Sequence, residues 1–291
     1  MSDETTMSFE ERSKLFKQTI ASVEARESHA AAMGELILLQ LPSEASVRSI
    51  FTVDVLPAGA SPVYTIDIAT ISAWVLPKMG EHPINLVTAE EVTIPTYEVT
   101  GDVSYKLQFA RDGRFNVAER ARQRLMDSIV DLEEEGGWTL LRAACTAGNT
   151  VVDPAGDPGL TKALISTALA KMESNRGYQP DTLYVSSNSA ATIREWDYTT
   201  IDPTTQREIF VAGGLGSIWN IGIKVVWFLD DDESYLFDTR ADKLGYMPIR
   251  ESLKTFDDPT AIKKYRVGVI AYEEIGFGVL DTQCIVKLDI A

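Results

Sequence analysis

Two cysteines and two histidines in 291 residues leave little material for thiol or metal chemistry. His29 and His82 each lack a Cys, His or carboxylate at ligand spacing, so neither a zinc site nor a Ser-His-Asp triad can be assembled from them. Cys145 falls on an expected helix and Cys284 on an expected strand, and both read as buried reduced thiols rather than a disulfide. Long apolar runs are missing too. The best, Leu36-Ile37-Leu38-Leu39, is followed within three residues by Pro42 and is far too short to cross a bilayer. Ser2-Asp3-Glu4 has no basic start of the kind a secretory leader carries. Positive charge is scarce: 27 Lys and Arg stand against 43 Asp and Glu, for a net charge of −16. That balance argues against a surface built to neutralise nucleic-acid phosphates and against adhesion to anionic membranes. It suits a protein kept soluble at high local concentration. A Walker A sequence is absent. Gly214-Leu215-Gly216-Ser217 lacks the third glycine of a dinucleotide fingerprint, because Trp219 stands there, and it leads into a strand rather than a helix.

What the chain does have is a long amphipathic run from Asn116 to Cys145. Asn116-Val117-Ala118-Glu119 has the form of a capping box, and Ala121, Leu125, Ile129, Leu132, Leu140, Leu141 and Ala144 make an apolar stripe. A helix of about 30 residues measures roughly 45 Å. Within it Glu133-Glu134-Glu135 is expected on the solvated face, and Gly136-Gly137 marks a bend or a close contact. Upstream, Ser8-Phe9-Glu10-Glu11 is a second capping box. Phe16, Ile20, Val23, Ala30, Met33 and Ile37 follow at helical spacing until Pro42. This is either a first helix packed on its own domain or an arm that docks on a neighbouring chain.

Between these helices the period falls to two. Phe51, Val53 and Val55, then Val63 and Thr65, then Val92 and Ile94, then Val99, Val103, Tyr105, Leu107 and Phe109 read as strands. They flank a turn-rich tip, Trp74 to Pro83, with apolar Trp74, Leu76 and Met79 beside Lys78. Two arms of about 18 residues could reach roughly 60 Å. A two-stranded ribbon is marginal by itself, which makes it an intersubunit element. The other reading is a hairpin folded back into one compact sheet. After the turn cluster Asn149–Gly159 come a helix near 160–173, a strand at 182–186, a helix near 189–196 and an apolar strand at 221–228. Asp230-Asp231-Asp232-Glu233 reads as a charged hairpin turn, since its spacing does not match a calcium-binding loop.

The order of these elements resembles the major capsid proteins of tailed bacteriophages, with the fold named after the Hong Kong 97 phage. Three stretches carry the likeness: Tyr184-Val185-Ser186-Ser187 with Ala190, Ala191, Ile193 and Arg194; Gly216, Ile218, Gly222, Ile223 and Val225-Val226 before Tyr235-Leu236-Phe237-Asp238; and Val267-Gly268-Val269 through Gly276-Phe277-Gly278-Val279. The resemblance implies an α+β fold divided into an N-terminal arm (1–49), an extended β-hairpin loop with flanking strands (50–110), a peripheral domain with a spine helix (111–159), an axial α/β domain (160–248) and return strands of the peripheral domain (249–291). It implies a non-enzymatic coat protein without cofactor or metal, assembled as hexamers and pentamers into an icosahedral shell around double-stranded DNA that it does not read by sequence. Scaffold, portal and cement proteins would be its partners. Its place would be the virion, built in the host cytoplasm and away from membranes. Phe16, Ile20, Trp74, Leu76, Lys78 and Met79 are the expected assembly contacts. Some family members weld neighbours through a Lys–Asn isopeptide bond; here Lys78 is present but no asparagine follows Asn220, so non-covalent contacts are expected. The rival readings are an encapsulin-type shell around protein cargo and a cytosolic α+β enzyme with 160–245 as its catalytic lobe.

Overall fold

A computed structural model describes residues 14, 16–17, 22–67, 89–153, 159–175, 177–196, 217–240 and 243–290. In chain order, α1 (Val23–Glu44) and α2 (Val47–Ile50) lead into β1 (Thr52–Val55), β2 (Val63–Asp67), β3 (Ala89–Thr93) and β4 (Thr96–Lys106). A short α3 (Leu107–Arg111) precedes the 30-residue α4 (Phe115–Ala144). Then come β5 (Thr150–Val152), α5 (Lys162–Glu173), β6 (Thr182–Val185), α6 (Ser187–Arg194), β7 (Ser217–Ile218), β8 (Ile221–Val225) and β9 (Glu233–Phe237). The remaining elements are β10 (Gly245–Asp257), α7 (Pro259–Lys263), β11 (Arg266–Gly276), β12 (Gly278–Val279), a single 3-10 turn and β13 (Ile285–Asp289).

Two sheets organise the body. The first has the order β1-β10-β11-β4, with β12 also on β10; the second runs β5-β13-β9-β6-β8-β7. Alternation along β4 explains the first. Val99, Val103 and Tyr105 point inward, where α1 and α4 pack, while Glu98, Thr100, Asp102 and Ser104 lie outside. The second sheet is covered on both faces. Tyr235 and Phe237 of β9 face α4 and join Trp138, Leu141, Ile37 and Leu41, whereas Leu236 turns to α5 and α6. Trp138 sits among Tyr184, Tyr235 and Phe237 with ring centroids 5.4–6.1 Å apart. Such aromatic clusters gain from edge-on geometry beyond their buried area.

Several expectations change on contact with this structure. Leu107 and Phe109 open α3 instead of prolonging β4. The capping box at Asn116 is not formed. The helix begins at Phe115 without a side-chain cap, and Glu119 instead accepts from Arg122 at 2.6 Å. Arg122 is buried and takes Gln40 of α1 as its second acceptor at 2.7 Å, so tertiary demand overrides the local cap. α1 continues past Pro42 to Glu44. Most of all, Glu133 and Glu134 are 0% and 1% exposed, not solvated. Among the described residues of 50–110, only β2 and β3 form a separate two-stranded hairpin; β1 pairs in parallel with β10, and β4 pairs with β11. Within 249–291, β10 and β11 share the first sheet, but β13 lies between β5 and β9 in the second.

Candidate assembly surfaces and the clusters that hold them

α1 presents two different faces. Ala30, Met33, Ile37 and Leu41 are buried in the body. On the other side Val23 and Leu36 stand exposed, and Leu39 is 72% exposed. The helix is thus packed on its own chain and also keeps an apolar strip outward. Phe16 is taken up internally: it is 6% exposed, clusters with Tyr105, Ala118, Ala121 and Val267, and lies edge-on to His29 at 5.8 Å. Its ring is therefore not offered to a neighbour in this conformation. Ile20, Trp74, Leu76, Lys78, Met79 and His82 lie outside the described residues.

The hairpin is tied down at its base. Tyr64 of β2 stacks on Tyr246 at 4.3 Å, and its hydroxyl donates to Asp54 at 2.8 Å. Beyond that anchor, β2 and β3 make their backbone ladder with each other alone among the described residues. A second exposed apolar group sits at the β7–β8 edge of the second sheet. There Trp219 and Asn220 both have positive φ, 50° and 69°, which gives the two-residue turn the twist that suits a hairpin. Trp219, Val225 and Trp227 are exposed nearby.

Two ionic clusters fasten distant segments to α4, and neither could be read from sequence spacing. In the first, Arg48 of α2 donates from Nε and Nη2 to Glu133, both at 2.7 Å, and from Nη2 to Glu273 of β11 at 2.8 Å. Beside it, Glu134 accepts from Ser46 Oγ at 2.6 Å, from the Val47 amide at 3.2 Å and from Trp138 Nε1 at 2.7 Å. The start of α2 is thereby bound to the long helix. In the second, Arg142 in the last turn of α4 donates to Glu233 and to Asp230 at 3.2 Å. Tyr235 adds a bond to Glu233 at 2.7 Å, and Lys287 stands 3.5 Å away. Burial pushes the Glu233 carboxyl up, but Arg142 and Tyr235 outweigh it and hold the group below its usual range. Asp230 and Glu233 thus belong to an ion-paired hairpin turn.

Nothing in these clusters resembles a reaction centre. Cys145 and Cys284 are free thiols, each pushed up to about 12 by burial, so neither is a ready nucleophile. Burial also lowers His29. Among the described residues, no group of three His, Cys, Asp or Glu is placed to hold a metal ion. No described helix is long and apolar enough to cross a membrane.

Comparison with known proteins matches this architecture to shells. The fold is similar to the capsid of a native GTA particle, at TM-score 0.66 and 16% identity over 85% of this chain and 90% of that one. It is similar to a virus-like particle from Pyrococcus furiosus, at TM-score 0.60 and 15% identity, covering 89% and 98%. A capsid chain of Microbacterium phage Oxtober96 gives TM-score 0.64 and 14% identity, covering 84% and 90%. No curated protein matches the sequence significantly. At these identities the structures establish the Hong Kong 97-type α+β fold, and the sequence itself supplies the rest. Residues 89–288, from the second hairpin strand through β13, match the model of the family described as phage capsid protein, and the chain belongs to that family.

Proposed function

We propose that this chain is a major capsid protein that tiles a closed icosahedral shell around a double-stranded DNA genome. The observation that carries this reading is the hairpin β2–β3. It forms a sheet of its own, anchored to the body through Tyr64, and two strands without further support are marginal in water. Copies of the chain supply that support, as they cover the outward strip of Leu36 and Leu39 on α1. Head-to-tail contacts of this type close into rings of five or six when the rotation between copies permits. Each contact can be weak, because every copy makes many of them.

In this reading residues 1–49 are the arm and 50–110 contain the extended hairpin. α4 is the spine of the peripheral domain, and most of 160–248 is the axial domain. Trp74, Leu76, Lys78 and Met79 at the hairpin tip are contacts to the neighbour. Scaffold, portal and cement proteins act on the outside or inside of the shell, and the chain itself performs no catalysis. Assembly takes place in the host cytoplasm and ends in the virion. Deletion of Leu76 to Pro83 tests the assignment. The expected product is a soluble, folded protein with an unchanged circular dichroism spectrum that forms no particles. Normal particles in negative-stain images of the deletion would remove the hairpin from the mechanism.

A further inference from the structure

The Arg48 cluster contains one more negative charge than it can balance. Glu133 and Glu273 are both fully buried, and a single guanidinium faces the two of them. Glu133 takes two of its hydrogen bonds, and Oε1 of Glu273 takes one. Oε2 of Glu273 is buried without any hydrogen-bond partner. An uncompensated buried charge and an orphaned carboxylate oxygen are each costly. One proton removes both costs. Placed on Glu273, it cancels the surplus charge and supplies an O–H donor beside Glu133, which lies within side-chain hydrogen-bonding reach. The two carboxyls then share one proton and one guanidinium.

We propose that Glu133 and Glu273 form a one-proton site that latches the root of the N-terminal arm, residues 46–50, onto α4 and β11. The latch is a property of the fold and holds whether or not the shell reading is correct. The groups facing it are few. Arg48 comes from α2, and Glu133 comes from α4 with Glu134 one residue on, already engaged by Ser46, Val47 and Trp138. From β4 comes the Tyr97 hydroxyl, which burial and the neighbouring Glu133 keep protonated by raising it to about 12. On the outer face Arg250 pairs with Glu274 at 3.0 Å and Glu251 with Lys254 at 3.1 Å, while Glu98 lies opposite Glu274 beside Tyr272. Glu274 follows Glu273 in the strand and so points to the opposite face.

Burial, reinforced by Glu133 and opposed by Arg48, raises Glu273 from 4.5 to about 7. The folded chain therefore holds a proton that the unfolded chain has released. Its contribution is full below the unfolded value near 4.5 and is lost as pH rises through about 7. Between about pH 6 and about pH 8 the opening equilibrium of the arm root should rise about ten-fold.

Hydrogen exchange on the full chain, corrected for the pH dependence of intrinsic exchange, reads this directly. Amides of 46–51 in the wild type are expected to lose about ten-fold protection over that interval. In Glu273→Gln the amide donates permanently to Glu133, and protection should stay constant. Glu274→Gln, on the outer face, should behave like the wild type. A wild-type arm root insensitive to pH, or a Glu273→Gln variant that keeps the sensitivity, overturns the proposal. Infrared spectroscopy of the wild type needs no variant: a protonated-carboxyl stretch should be present near about pH 6 and absent near about pH 8. If no such band titrates in that range, the latch does not exist.

Discussion

A methyl group at position 137 would have no room. The Cβ of an alanine there would lie 2.4 Å and 2.8 Å from the two Cγ atoms of Val47 and 3.1 Å from its Cβ. Glycine costs a helix interior about 1 kcal/mol relative to alanine, so a glycine in the middle of α4 needs a reason, and Val47 is that reason. Gly137→Ala should destabilise the chain by about 1–3 kcal/mol despite its better propensity, because the branched side chain it meets is locked at the start of α2. Chemical denaturation of unassembled chain measures it. Adding Val47→Ala to the same variant should recover part of the loss, and a stabilised Gly137→Ala would show that α2 yields. Gly136 differs in kind: its added carbon would meet the Tyr97 hydroxyl at 2.5 Å, the far end of a longer side chain that can give way. The Gly-Gly pair announced a bend or a close contact in the sequence, but not which of the two or what it touched. Val47 is 90 residues away, and no local pattern joins the two.

At the scale of elements, α4 behaves as a beam with a fastening near its middle and another at its end. Its existence and its apolar stripe were legible from period alone, since Leu125, Ile129 and Leu141 are all buried. Leu132, assigned to the same stripe, is exposed. The charge run beside it was misleading. Glu133 and Glu134 look solvated because their partners, Arg48 and Ser46, come from a segment more than 80 residues earlier. The strands were legible by alternation, their partners were not: β13 finds β5 and β9 only through tertiary pairing. The end fastening yields a prediction of its own. Without Arg142, the buried Glu233 keeps Tyr235 and the more distant Lys287 among the described residues. Arg142→Ala should cost about 2–3 kcal/mol, less than a fully buried pair because the arginine is partly exposed. Glu233 sits below its ordinary 4.5, so the stability it lends is present above that value and lost as pH falls through its folded one. Acid denaturation of the variant should therefore begin from lower stability yet show a shallower fall. An unchanged acid limb would mean that Arg142 does not hold Glu233.

For the whole molecule the decisive quantity is the net charge of −16. Copies carrying it repel one another, yet the family to which the chain belongs works by bringing copies together. Apolar contacts between copies, such as those proposed for the outward strip of α1 and the hairpin, do not weaken with salt, whereas the repulsion does. The Debye length falls from about 30 Å at 0.01 M to about 8 Å at 0.15 M ionic strength. Assembly of dissociated chains, followed by light scattering, should accordingly become more favourable across that range. Affinity for added duplex DNA should move the other way, because binding to a polyanion through counterion release weakens as salt rises. The two trends in one titration separate self-association from nucleic-acid adhesion. If assembly instead weakens with salt, the copies are joined mainly by ion pairs, and the apolar surfaces of α1 and the hairpin are not what holds the shell.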